Sequence, residues 1–207
     1  AVWKHFRENG TDTWVLSRNM LNNVSYKYRD NNPDSIRIFD YSSIEAENKF
    51  RYERMMRLEG DWKLTMSANL EQVKYSNNTK RFLFTGIPTE YNSDISLYKW
   101  GGSAQLSRTF FNERLRSSLG LRSDANSYSP EVSNMFKQLS PRLSISYVIT
   151  KQWSWNFNTG RYYQMPPYTS LGFRNTSGDL VNNNNKVRYI TSDNPVSGFD
   201  FLPDEKS

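Results

Sequence analysis

Apolar and polar residues alternate through stretch after stretch of this chain, and that alternation limits its fold more than any other feature. Residues 62–75, WKLTMSANLEQVKY, set Leu64, Met66, Ala68 and Leu70 against Lys63, Thr65, Ser67, Asn69 and Glu71. Residues 114–124, RLRSSLGLRSD, oppose Leu115, Leu119 and Leu121 to Arg114, Arg116, Arg122 and Asp124. Residues 48–59 oppose Phe50, Tyr52, Met56 and Leu58 to Lys49, Arg51, Glu53, Arg57 and Glu59. Residues 141–149 put Leu143, Ile145, Tyr147 and Ile149 against Arg142, Ser144 and Ser146. A period of two with this contrast marks strands with one apolar and one polar face. It fits residues 44–57 better than an amphipathic helix does. Arg54 and Arg108 break the pattern on apolar sides, and Met55 breaks it on a polar side.

The same reading yields nine candidate strands, at 1–7, 13–29, 48–59, 62–75, 98–111, 114–124, 141–149, 153–163 and 188–202. Their connections alternate. Short turns fall at Asn9-Gly10, Gly60-Asp61, Asn112-Glu113, Thr150-Lys151-Gln152 and Pro203-Asp204. Long segments rich in Asn, Ser and Pro fall at 30–47, 76–97, 125–140 and 164–187. An outer-membrane barrel separates its connections in this way, with short turns on the periplasmic side and long loops outside. Most of the candidate strands reach the ~9–11 residues that a tilted strand needs to cross hydrocarbon. In that setting Leu143, Ile145 and Tyr147 face lipid, while Arg142, Ser144 and Ser146 face an aqueous lumen. Trp62, Phe110, Phe111, Trp153 and Trp155 gather beside short turns, where an interfacial aromatic girdle belongs. The expected fold is therefore all-β: antiparallel up-and-down strands, a fragment of a transmembrane β-barrel.

Composition narrows the function. Hydrophobic residues are 36% of the 207, and aromatics are 15%. The mean hydropathy of −0.80 leaves no apolar run long enough for a membrane helix. There are no cysteines, so disulfides, thiolate metal sites and a cysteine nucleophile are excluded. A single histidine, His5, rules out a multi-histidine metal site. The net charge of +6 is spread through every segment rather than gathered in basic runs, so nucleic acid is not an expected partner. The chain begins at Ala1 without a signal peptide, and both ends read as trimmed.

The stretch LSPRLSISYVITKQWSWNFNTGRYYQMPPYTSLG, residues 139–172, resembles the barrel of TonB-dependent outer-membrane receptors. The likeness lies in a Ser-Pro-Arg strand, a short turn, an aromatic strand, and then Gly-Arg-Tyr-Tyr-Gln-Met-Pro-Pro-Tyr entering an external loop. VRYITSDNPVSGFDFLPDEKS resembles the segment that follows in such receptors, in the style of Bacteroidetes-like bacteria. The resemblance implies a 22-stranded barrel with a plug in its lumen and a TonB box that receives energy from the inner membrane. It also implies a bacterial outer-membrane location, with lipid, a small-molecule or glycan ligand, TonB and the plug as partners. No plug is recognisable here, so residues 1–207 read as a single region, part of a barrel. An isolated sheet of this kind would have to close, oligomerise or cover its apolar face.

Candidate ligand contacts lie in the external loop 160–175, GRYYQMPPYTSLGFRN: Arg161, Tyr162, Tyr163, Tyr168, Arg174 and Asn175. The plainer reading makes Tyr162 and Tyr163 girdle residues, with the prolines only turning the chain. The polar-side charges Arg51, Glu53, Arg57, Glu59, Arg114, Arg116 and Arg122 either line a path or pair with one another. Carboxylate pairs such as Glu45/Glu47 and Glu53/Glu59 are ordinary on wet strand faces, and no P-loop, Gly-x-Ser-x-Gly or Gly-x-Gly-x-x-Gly occurs. No enzyme activity, cofactor or metal is expected. The expected function is part of a receptor for active uptake of a scarce ligand (siderophore, cobalamin or glycan). Two alternatives are another outer-membrane barrel of porin or adhesin type, and a soluble carbohydrate-binding β-sandwich. Both barrel readings predict that the chain aggregates without detergent. A folded monomer in plain buffer, measured by light scattering at high concentration, favours the sandwich.

Overall fold

The computed structural model describes residues 1–82, 88–175 and 177–203. The strands are β1 (Val2–Arg7), β2 (Gly10–Tyr28), β3 (Arg37–Arg57), β4 (Trp62–Phe82), β5 (Pro88–Phe110), β6 (Leu115–Asn126), β7 (Leu139–Val148), β8 (Trp153–Gln164), β9 (Ile190–Asp193) and β10 (Val196–Phe201). All pair antiparallel with their sequence neighbours in the order β1 to β8 and then β10, with β9 also on β8. β9 and β10 are one ladder in one register: Arg161 faces Asp193, Asn158 faces Val196, and the Asn194 amide still donates to Gly160. Pro195, which has no N–H to donate, divides them. The result is a nine-stranded meander. Among the described residues it is open, with β1 and β10 each paired on one side only.

Strand pairing decides the faces, because residues directly opposite one another share a side. One row runs Met56, Leu64, Leu106, Leu119, Leu143. The neighbouring row on the other side runs Met55, Thr65, Gln105, Gly120, Arg142. Leu16, Leu70, Leu119 and Phe199 on the first side are all at least half exposed to their surroundings. This apolar side is the lipid face of a barrel wall, and the polar side is the lumen face.

Trp62 meets Phe110 edge-on at 6.2 Å, and Trp153 packs on Phe201 at 4.8 Å, both next to short turns. The two arginines on the apolar side each have a partner. The Arg108 guanidinium lies 4.7 Å from the Phe110 ring centre and 5.1 Å from that of Trp62, a cation–π seat at the interface. Arg54 lies 3.7 Å from Asp12, which also accepts from Arg7 and from the Tyr52 hydroxyl at 2.8 Å. A carboxylate is tolerable on this face only when paired in this way.

Two of the expected long connections are mostly strand. β3 begins at Arg37 rather than near 48, β4 continues to Phe82, and β5 begins at Pro88. Residues 83–87, the middle of the expected loop 76–97, lie outside the described residues, as does part of the expected turn at Pro203-Asp204. The extensions escape a period-two reading because their outer face is polar too. Beyond Leu70 it reads Gln72, Lys74, Ser76, Asn78 and Lys80, paired with Asn48, Ala46, Ile44, Ser42 and Asp40. Tyr98 and Trp100 sit opposite Gln72 and Leu70, at the change from apolar to polar. The last long loop carries two single helical turns, α1 (Tyr168–Leu171) and α2 (Val181–Asn184).

The wall is uneven in height. β2 to β5 have 19 to 23 residues, whereas β6 to β8 have 10 to 12. The face assignment predicts that Leu119→Arg costs about 2–4 kcal/mol of folding stability in a bilayer. The adjacent Ser118→Arg, on the lumen side, should cost far less. Denaturant unfolding of both variants in lipid vesicles checks this.

Candidate ligand-facing site

The lumen face changes character along its height. Level with the girdle of Tyr98 and Trp100, the row Lys49, Glu71, Lys99, Asn126 crosses β3 to β6. Lys99 Nζ lies 2.7 Å from Glu71 and 3.2 Å from Glu47, and Lys49 Nζ lies 2.6 Å from Glu47. Arg122 forks onto Asp124 with bonds of 2.6 and 2.8 Å. These charges neutralise one another in a half-buried setting, where an unpaired ion is costly. Other predicted lumen charges also pair locally. Arg51 approaches Glu53 at 3.9 Å, Arg116 approaches Glu113 at 4.0 Å, and Arg114 donates to the carbonyl of Ile149.

Above this ladder the lumen face turns apolar. Val73, Tyr75, Ile95 and Leu97 are buried beneath Tyr128, Val132 and Leu171, with Met165, Leu180, Val187 and Tyr189 packed around them. The two loops that follow the short strands, 127–138 and the described residues of 165–189, thus fold inward onto the tall strands β4 and β5. They also brace each other. The Tyr128 hydroxyl donates to the Leu171 carbonyl at 2.7 Å, Asn183 donates to the Tyr128 carbonyl, and Asn126 donates to the Tyr189 hydroxyl at 2.8 Å. Gly172 permits the close approach, since a Cβ there would lie 2.7 Å from Ser93 Oγ and 3.1 Å from the Tyr75 ring.

Tyr168 ties this roof to the charged ladder. Its hydroxyl donates to Glu47 at 2.6 Å and accepts from Lys99 at 3.0 Å, and its ring tilts on Tyr75 at 6.0 Å. Burial pushes its phenol up to about 12, so it stays protonated as a donor. The other predicted contacts do not converge with it. Arg161 forks onto Asp193 at 2.8 and 2.9 Å. Tyr162 lies under Arg142 at 4.7 Å on the lumen side, and Tyr163 meets Tyr189 edge-on. Arg174 donates to Gly178 and Asp94 carbonyls, and Asn175 bonds Asp179, so both shape the loop from within.

Sequence reasoning missed Val73, Tyr75, Ile95 and Leu97. The signal was present: they are in phase with Lys63 to Glu71 and with Lys99, so apolar residues enter the wet face. Apolar residues on a lumen face call for a protein cover.

A meander of membrane-length strands with a lipid side and a water side, girdled by aromatics, is a wall of an outer-membrane β-barrel. The profile of the TonB dependent receptor-like, beta-barrel family matches residues 3–203, and the chain belongs to that family. It lies in the outer membrane. Among solved structures, one titled "Copper transporter OprC" shares the fold with a TM-score of 0.69 at 15% identity. The match covers 98% of this chain and 35% of that one, so the chain spans about a third of its length. No curated protein matches the sequence.

Leu171→Ala empties the centre of the roof and should loosen it by about 2–5 kcal/mol. Hydrogen exchange should then rise across 165–189 while β6 and β7 keep their protection.

Proposed function

We propose that this chain is one stretch of a TonB-dependent receptor that actively takes up a scarce ligand of siderophore, cobalamin or glycan type. The inward-folded roof over β4 and β5 carries this reading. It places loops from the long-connection end inside the lumen, where an incoming ligand must pass them. The aromatic rings near it suit such ligands: Phe39 stacks with Tyr41, and Tyr91 meets Phe173 at 6.0 Å. Of the six predicted contacts, Tyr162 and Tyr168 face the lumen, and they are the two proposed to meet the ligand. Arg161, Tyr163, Arg174 and Asn175 support the loop.

On this reading the plug and the TonB-contacting peptide belong to other parts of the receptor, and the chain works as a transporter wall rather than an enzyme. The copper in the neighbour's title is not carried over, because a likeness at 15% identity is one of fold.

The test locks the roof. The chain has no cysteine of its own, and Gly172 touches Ser93. Ser93→Cys with Gly172→Cys, introduced into the full-length receptor, should form a disulfide that stops ligand uptake by cells, and reductant should restore it. Uptake that continues with the bridge formed would remove the roof from the ligand's path.

A further inference from the structure

The paired charges on the lipid face surround a cavity of about 200 Å³ at the periplasmic end of β2 and β3. Arg7, Gly10, Arg54, Met55, Met56, Arg57 and Leu58 line it, with Asn9 of the adjoining turn. Its shape comes from Gly10. Gly10 stands opposite Arg7 on one side and Met56 on the other, in the outward-facing row, and brings no side chain to fill the space between them. Nor is a side chain admissible, since a Cβ would lie 2.0 Å from the Met55 carbonyl oxygen.

Two guanidiniums of the lipid-facing row border this space, Arg7 and Arg54, and one carboxylate answers them; Arg57, opposite Lys63, belongs to the lumen row. Asp12, 1% exposed, holds Arg7 at 2.5 Å and reaches Arg54 at 3.7 Å, leaving a net of one positive charge on this face. Arg7 and Arg54 remain half and one-third exposed. Just above, on the same face, Trp3 stacks on Trp14 at 4.3 Å, and Trp14 packs on Tyr52 at 5.4 Å. The site therefore has a cationic floor at the interface, methionine and leucine walls, and aromatic rings reaching into the hydrocarbon.

We propose that this cavity binds the phosphate of a phospholipid from the inner leaflet of the outer membrane. Arginine forks match phosphate oxygens, and a low-dielectric rim strengthens each charge-assisted bond. Basic pockets at membrane interfaces take anionic head groups for this reason. The apolar walls and stacked indoles favour a molecule with acyl chains over a free ion. Asp12 holds Arg7 and Arg54 in place, and one carboxylate against two guanidiniums leaves a positive charge for the phosphate. The charged cluster is separate from the ligand path, because Arg7, Asp12 and Arg54 stand in the lipid-facing row.

The experiment is native mass spectrometry of the full-length receptor released from detergent with phosphatidylglycerol, diacylglycerol or inorganic phosphate added separately. The wild type should retain one phosphatidylglycerol and neither diacylglycerol nor inorganic phosphate. Arg54→Gln, which leaves the shorter Asp12–Arg7 pair intact, should weaken retention roughly tenfold, the order of one charge-assisted hydrogen bond. The triple change Arg7→Gln, Asp12→Asn, Arg54→Gln removes the cluster without stranding a charge and should abolish retention. Heat-shifted mobility on gels confirms that each variant is folded. Equal retention by wild type and both variants would overturn the proposal. So would retention of diacylglycerol as strong as that of phosphatidylglycerol, or binding of inorganic phosphate as tight as that of the lipid.

Discussion

Hydrocarbon offers no hydrogen-bond partner, and every other property of this chain follows from that. A strand in the bilayer core must satisfy its amides and carbonyls through its neighbours. The unbroken ladder from β1 through β8 to β10 is that requirement met. With the backbone committed to a meander, side chains have two directions to point. The sequence alternates because lipid lies on one side and water on the other. Even the charges on the lipid face obey the rule: Asp12 reaches Arg7, Arg54 and Tyr52, and Arg108 lies over two rings.

Between the lipid band and the outside, a second constraint takes over. The short strands β6, β7 and β8 release their chain early, and the tall strands β4 and β5 give that chain a surface to lie against. The small apolar core of this protein is therefore neither in the membrane nor between two sheets. It lies on the wet side of the wall, under a cover made by two loops. Tyr168 joins the cover to the ladder of Lys49, Glu47, Lys99 and Glu71, so an apolar contact and a charge network share one anchoring point.

Legibility in the sequence tracked contrast between faces. Leu64 to Leu70, Leu115 to Leu121 and Leu143 to Tyr147 announce strands because their neighbours are charged or hydroxylated. Residues 37–47 and 76–82 are strands as well, yet Asn77 and Asn78 point to opposite sides with the same chemistry, and no period survives. The turn positions were legible from Asn, Gly and Asp, and the family from residues 139–207. The candidate site was only partly so. Tyr168 was identifiable as a loop aromatic, but its partner Glu47 is 121 residues away, and alternation says nothing about which distant strand a loop will lie on. Arg54 read as an anomaly for the same reason, since its answer, Asp12, sits across a strand pair that local periodicity does not reveal.

The two-sided polarity of the upper strands bears on how the wall is assembled. Where both faces are hydrated, sliding one strand past its neighbour by a residue exchanges like for like and meets little energetic opposition. Below the Leu70 level the same slip would drive lysine and glutamate into lipid. Correct alignment is therefore dictated at the bottom of each hairpin and inherited upward, so the protruding blade should zip from the bilayer toward the outside. The roof, whose contacts span β4 and β5 near the top, can dock only after that zipping is complete.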